Sequence, residues 1–208
     1  MSAAQLRAGT GCLCIGEITS GTSDPSGCFP FMELPGIEAL PFRCPEGAEL
    51  WDALRIALQE LRSRRAVACI LARGTGCAAA LALAEQLPVD RLVLMEPIMN
   101  LSGRDMPWHP SDARLRQARK LAGFARRNLS LCVSDTLIVE SDLHTDASRL
   151  GGLSAHCRVC RLKIGGKRGN KLYTIREIDV KQAISCFLRA GELPKPLAEN
   201  PEMCIIYG

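Results

Sequence analysis

Aromatic side chains are scarce in this chain: two Trp, two Tyr and five Phe make up 4% of 208 residues. Its basic clusters therefore have almost nothing interleaved that could stack on bases, which argues against nucleic acid as a partner. Long apolar runs are absent as well. None approaches the ~18 residues that a bilayer-crossing helix needs, so no membrane span is expected. The N-terminal MSAAQLRAGTGCLCIGEI carries one Arg and a glycine-broken apolar patch, and reads as mature sequence and not as a secretory leader. No internal repeat and no long linker divides the chain. One domain is expected over residues 1–190, with the Pro-rich stretch 191–208 as a poorly fixed tail. Histidine is limited to His109, His144 and His156.

The remaining composition is that of a globular protein, with 47% hydrophobic and 23% charged residues. The net charge of +4 is concentrated in two places. Arg114, Arg116, Arg119, Lys120, Arg126 and Arg127 lie in one helix-like stretch, and Arg158, Arg161, Lys163, Lys167 and Arg168 in another. Both read first as solvated faces. Eleven cysteines is a high and odd number. Cys12, Cys69, Cys132 and Cys186 sit in apolar segments, where a free thiol behaves as a small hydrophobe. A loop-rich disulfide scaffold does not fit, and buried thiols in a reducing cytoplasm do. Cys12-x-Cys14 is expected to send its thiols to opposite strand faces, suiting neither metal nor disulfide. His156-Cys157-x-x-Cys160 has the spacing of half a metal site, with His144 upstream as a further ligand. A second Cys-x-x-Cys is missing and alternate residues there look buried, so no metal is expected. Nor is a cofactor: Gly74-Thr75-Gly76 lacks the rest of G-x-G-x-x-G, since residue 79 is Ala.

Apolar periodicity predicts short strands at Cys12–Ile18, Ile37–Phe42, Ala66–Leu71, Asp90–Met95, within Ser130–Glu140 and at Arg158–Ile164, the last nearer an edge. Between them lie an amphipathic helix over Glu49–Arg64, an alanine-rich helix over Gly76–Gln86 and a helix from Ser111 to about Asn128. A closing helix spans Ile178–Ala190. Strands alternating with helices predict an α/β fold, a mostly parallel sheet of about six strands covered on both faces.

Ile70–Pro88, ILARGTGCAAALALAEQLP, is the most telling stretch: a buried strand, a tight glycine turn and a helix of small residues. It continues through Pro88 into VDRLVLMEP. In order and spacing this resembles the α/β-hydrolase family from about residue 36 to 190, best between Val67 and Pro97. The resemblance implies a single-domain three-layer sandwich with a reduced or absent cap. It also implies a strand-to-helix elbow, G-x-S-x-G, whose serine is the nucleophile. Here that frame reads Ala72-Arg73-Gly74-Thr75-Gly76.

Carried over residue by residue, the nucleophile position is Gly74, which has no atom to attack with. The acid position falls at LIVESD, on Glu140 or, with the better match, Asp142. The histidine belongs after the last strand, where Gly165–Asn170 has none. The loop after the first strand, Gly16-Glu17-Ile18, is where backbone donors for an oxyanion are expected, and a carboxylate at Glu17 works against that. Glycine at the elbow has a physical benefit, since it adopts without strain an angle that costs other residues about 1–3 kcal/mol.

These readings predict a catalytically degenerate member that binds a small molecule or a protein partner in the elbow cleft. Arg73, Gly74 and Thr75 would floor it, with Glu17, Asp142 and Lys167 around it. Arg73 and the helix N-terminus make the cleft anion-friendly. A second reading is an ester or thioester hydrolase using Cys77, activated at the helix start, with His144 or His156. A third is a scaffold whose arginine-rich Ser111–Asn128 helix docks on an acidic partner. The oligomeric state is left open.

Overall fold

Every strand expected from the sequence pairs into one sheet. The computed structural model describes residues 9–16, 18, 34–98, 120, 133–141, 157–164, 177–194 and 203–207. In chain order they form β1 (Thr10–Ile15), β2 (Ile37–Pro41), α1 (Leu50–Arg64), β3 (Val67–Arg73), α2 (Gly76–Gln86) and β4 (Val89–Met95). After these come β5 (Val133–Ser141), β6 (Arg158–Ile164), α3 (Glu177–Ala190) and β7 (Met203–Tyr207). The strand order is β2-β1-β3-β4-β5-β6-β7. Strands β1 to β6 are mutually parallel, and β7 adds an antiparallel edge along β6. The sheet thus has one strand beyond the six expected, and it comes from the segment read as a tail. Its run Met203–Tyr207 is apolar and β-prone, and the free edge of β6 supplies the partner that a sequence cannot display. The arginine-rich stretch Ser111–Asn128 lies outside the described residues except for Lys120, which is helical.

Alternation along each strand divides the core in two. On one face Leu13, Ile15, Ile70, Ala72, Leu92, Leu94 and Ile138 pack under α1 and α2. On the other, Leu71, Val93, Met95, Leu137, Val139 and Leu162 pack under α3. This is the three-layer arrangement expected, with helices on both faces of a parallel sheet. Helix α1 presents Leu50, Leu54, Leu58 and Leu61, one per turn, all buried. Burying each is worth about 1.5–3 kcal/mol. Its Ile56, read as apolar periodicity, points outward at 52% exposure. Helix α2 is buried throughout Gly76–Ala84. That explains its composition: small residues all round allow a helix to be enclosed between the sheet and its neighbours.

The carboxyl end of α3 is tied down by polar contacts. Gly191, at φ +75°, takes the left-handed position that ends the helix, and its N–H donates to Phe187 O at 2.7 Å. Arg91 Nη1 donates to Leu188 O at 2.8 Å and Arg158 Nη2 to Gly191 O at 2.9 Å. Two guanidinium groups thus satisfy carbonyls that a helix end leaves open, at the pole that favours cations.

Among the described residues, Cys12, Cys14, Cys69, Cys77 and Cys160 are buried, and Cys44, Cys157 and Cys186 are partly so. Cys12, Cys14 and Cys69 are fully buried in the layer under α3. This corrects the expectation that Cys12 and Cys14 face opposite ways, because residues i and i+2 of a strand share a face. Cys12 is register-paired with Cys69 on the neighbouring strand. Burial pushes the Cys12 thiol far above its ordinary titration range and that of Cys69 up to about 12. Cys157 and Cys160 part instead: Cys157 packs against the α1/α2 layer and Cys160 lies in the α3 layer. Among the described residues no group of three His, Cys, Asp or Glu side chains is placed to hold a metal. No described helix is long and apolar enough to cross a membrane.

Glu85, half-buried near the end of α2, has its carboxyl pushed up to about 7 by desolvation. An unfolded glutamate releases its proton near 4.5, so between those values the folded state binds more protons. Stability conferred by this group therefore falls as pH rises through that window and stays low above it. Glu85→Gln is expected to raise the thermal midpoint at about pH 8 and leave it unchanged at about pH 4, read by calorimetry at both.

Candidate functional site

The chain crosses from β1 out to the edge strand β2 and returns through α1 to β3 on the other side of β1. The carboxyl ends of β1 and β3 therefore flank the topological switch point, the position at which open parallel sheets take their ligands. The turn Gly74-Thr75 between β3 and α2 lies there. Gly74 has φ +56°, the left-handed conformation that favours glycine. The turn is pinned from the next strand: Gly74 N–H donates to Met95 O at 3.0 Å, and Gly74 O accepts from Ile98 N–H at 3.1 Å. Glu96, at the end of β4, is itself left-handed at φ +45° and donates its N–H to Val139 O at 2.8 Å.

Gly76 is required for a different reason. A Cβ on it would stand 2.3 Å from Gly16 O and 2.6 Å from Ile15 O. The first turn of α2 thus rests directly on the backbone leaving β1, and only a residue without a side chain permits that approach.

The predicted site residues fare differently. Thr75 is completely buried, and its Oγ1 accepts the N–H of Ile18 at 2.9 Å. It gives its own helix no side-chain cap. Arg73 is not a bare cation: its Nη2 meets Glu96 Oε2 at 3.5 Å, with both side chains 13% exposed. That pairing sets a carboxylate beside the arginine expected to attract anions at the mouth. Cys77 is fully buried, its Sγ donating to Met95 O at 3.6 Å, and burial raises its titration well above the ordinary thiol range. Burial thus works against the thiolate that a nucleophile requires. Glu140 is buried and lies 3.9 Å from both Arg161 Nη1 and Lys163 Nζ. Glu17, Asp142, His144, His156 and Lys167 lie outside the described residues.

Two participants escaped the sequence reading. Glu96 was visible only as the residue before Pro97 at a strand end, and nothing local marks it as the partner of Arg73. The Ile18 amide is a main-chain group, and its link to Thr75 spans 57 residues.

Replacing either turn glycine tests this geometry. Gly74→Ala is expected to cost about 1–3 kcal/mol through its backbone angle alone. Gly76→Ala is expected to lose at least about 1–3 kcal/mol through overpacking. Urea unfolding measures both, and a loss below about 0.5 kcal/mol at either position would contradict the geometry. In the folded protein Cys77 is expected to resist iodoacetamide and to react once denatured, as peptide mass mapping would record.

No protein-family model matches the chain, and no curated protein matches its sequence. Solved structures do match. One solved for the metagenome-derived lipolytic enzymes LipS and LipT superposes with a TM-score of 0.61 at 11% identity, covering 88% of this chain and 95% of that one. Est1E from Butyrivibrio proteoclasticus gives 0.53 at 10% identity, covering 86% and 88%. At such identities the likeness concerns the fold. With its parallel sheet, its helices on both faces and the strand-turn-helix at β3–α2, the chain has the α/β-hydrolase fold.

Proposed function

We propose that this protein is a hydrolase-fold binding protein without hydrolytic activity, taking a small molecule or a segment of a protein partner in the crevice above the β3–α2 turn. One observation carries the reading. The residue at the apex of the turn, where the family places its attacking oxygen, is Gly74 in a left-handed conformation. The nearest candidates to replace it are both engaged: the Thr75 oxygen accepts from Ile18 N–H, and the Cys77 thiol is enclosed.

The sequence adds a second support. Acyl transfer on this fold needs an imidazole delivered after the last parallel strand to move the proton. All three histidines of the chain precede β6, and none follows it. Losing both the attacking atom and the proton carrier removes the two parts that make and break bonds. The elbow frame remains, because Gly74 and Gly76 still let a helix start hard against the sheet. A frame kept without its reaction serves to position a ligand.

The purified chain is expected to leave p-nitrophenyl acetate and butyrate hydrolysis at the buffer rate, and Gly74→Ser is expected not to raise it. Saturable turnover that Thr75→Ala or Cys77→Ala abolishes would overturn the proposal and restore the ester or thioester hydrolase reading.

A further inference from the structure

We propose that a small cavity at the amino ends of β3 and β4 is a site for a hydrogen phosphate ion. The cavity measures about 130 Å³ and is lined by Arg62, Arg65, Ala66, Ala68 and Asp90. Organic ligands ordinarily occupy roughly 300–1,000 Å³ among mostly apolar walls. Here the only apolar walls are two alanine side chains, so size and lining both point to a small polar ion. The cavity lies at the opposite end of β3 from the Gly74-Thr75 turn, and its reading is independent of the crevice.

Its walls follow from the way the two strands begin. Register pairing between β3 and β4 starts at Cys69 and Arg91, and one residue earlier Ala68 N–H donates to Asp90 Oδ2 at 2.7 Å. The carboxyl end of α1 closes the same corner. Arg62, in its last turn, donates from Nη1 to Pro88 O. Arg65, just beyond the helix, donates from Nε to Glu38 Oε2 at 2.5 Å. Each contact uses one of the five N–H groups of a guanidinium and fixes the fork in place.

The charges select the ion. Two guanidinium groups and one carboxylate give the lining a surplus of positive charge. Glu38, outside the lining, matches Arg65, whereas Arg62 makes no ion pair with a described carboxylate. The arginine fork is the group best shaped to hold an oxyanion by two oxygens. Asp90 narrows the choice further. A carboxylate only accepts hydrogen bonds, so it repels a bare oxyanion and receives the hydrogen of a protonated one. Near neutral pH phosphate keeps a proton and sulfate does not. Hydrogen phosphate therefore answers every polar group of the lining: oxygens for the arginines and an O–H for Asp90.

NMR titration of the isotope-labelled chain with inorganic phosphate, and separately with sulfate at equal ionic strength, tests the site. Phosphate is expected to give saturable shifts at the amides of Ala66, Ala68 and Asp90, with sulfate binding at least about tenfold more weakly. Arg62→Gln is expected to weaken phosphate binding about tenfold or more. Asp90→Asn keeps an oxygen for Ala68 N–H and adds a donor, so sulfate is expected to come within about threefold of phosphate. No saturable phosphate shift, equal binding of the two ions by the wild type, or full phosphate affinity in Arg62→Gln would overturn the proposal. So would a preference for phosphate that Asp90→Asn leaves unchanged. Should a variant not fold, the wild-type comparison of the two ions still decides. Ester turnover reports on the elbow alone, so the two readings fail separately.

Discussion

The contact between the first turn of α2 and the backbone leaving β1 constrains everything near the crevice. A helix can begin that close to a strand only if its first residue has no side chain, and Gly76 meets the condition with carbonyl oxygens where a Cβ would stand. Because α2 is then drawn into the sheet, its following residues must be small or apolar, and they are buried as far as Ala84. The reverse turn before it must be tight, which puts Gly74 in the left-handed region. Sequence, burial and turn angle are three consequences of one close approach.

A fold that keeps this approach keeps the scaffold of hydrolytic chemistry at small energetic cost. Holding a serine at such an angle costs about 1–3 kcal/mol, which the reaction must justify. Where no reaction is performed, glycine removes the strain and stiffens nothing else. The partly buried Arg73–Glu96 pair fits the same picture. Its two charges neutralise each other next to the turn instead of remaining available to a substrate. Breaking such a pair by removing one partner would be more damaging than its presence is stabilising, since it would leave a buried charge unmatched.

Much of the fold was legible in the chain because its signals are local. The turn glycines, Pro88 after α2 and the continuous apolar runs of the inner strands mark their elements within three residues. Arg158–Ile164 and Gly76–Gln86 coincide with their expected bounds. β7 was not legible, because an isolated apolar pentapeptide in a Pro-rich stretch declares itself only when a free strand edge is known. The site was legible in one respect, the missing side chain at Gly74, which is a property of the sequence itself. Its electrostatics were not. Arg73 as a lone cation and Thr75 as an available hydroxyl both followed from reading neighbours along the chain, while their partners, Glu96 and the Ile18 amide, arrive from 23 and 57 residues away. Cys77 stands as a nucleophile only in the second reading, and its burial follows from packing, which the chain does not display.

The central claim is that the bend between β3 and α2 carries no reacting atom. Incubation of the folded protein with an excess of a fluorophosphonate, followed by intact-mass measurement, tests it most directly, because that reagent bonds to an activated hydroxyl whatever the natural substrate. The account predicts an unchanged mass. A stoichiometric phosphonyl adduct mapping to the bend or the start of α2 would contradict it.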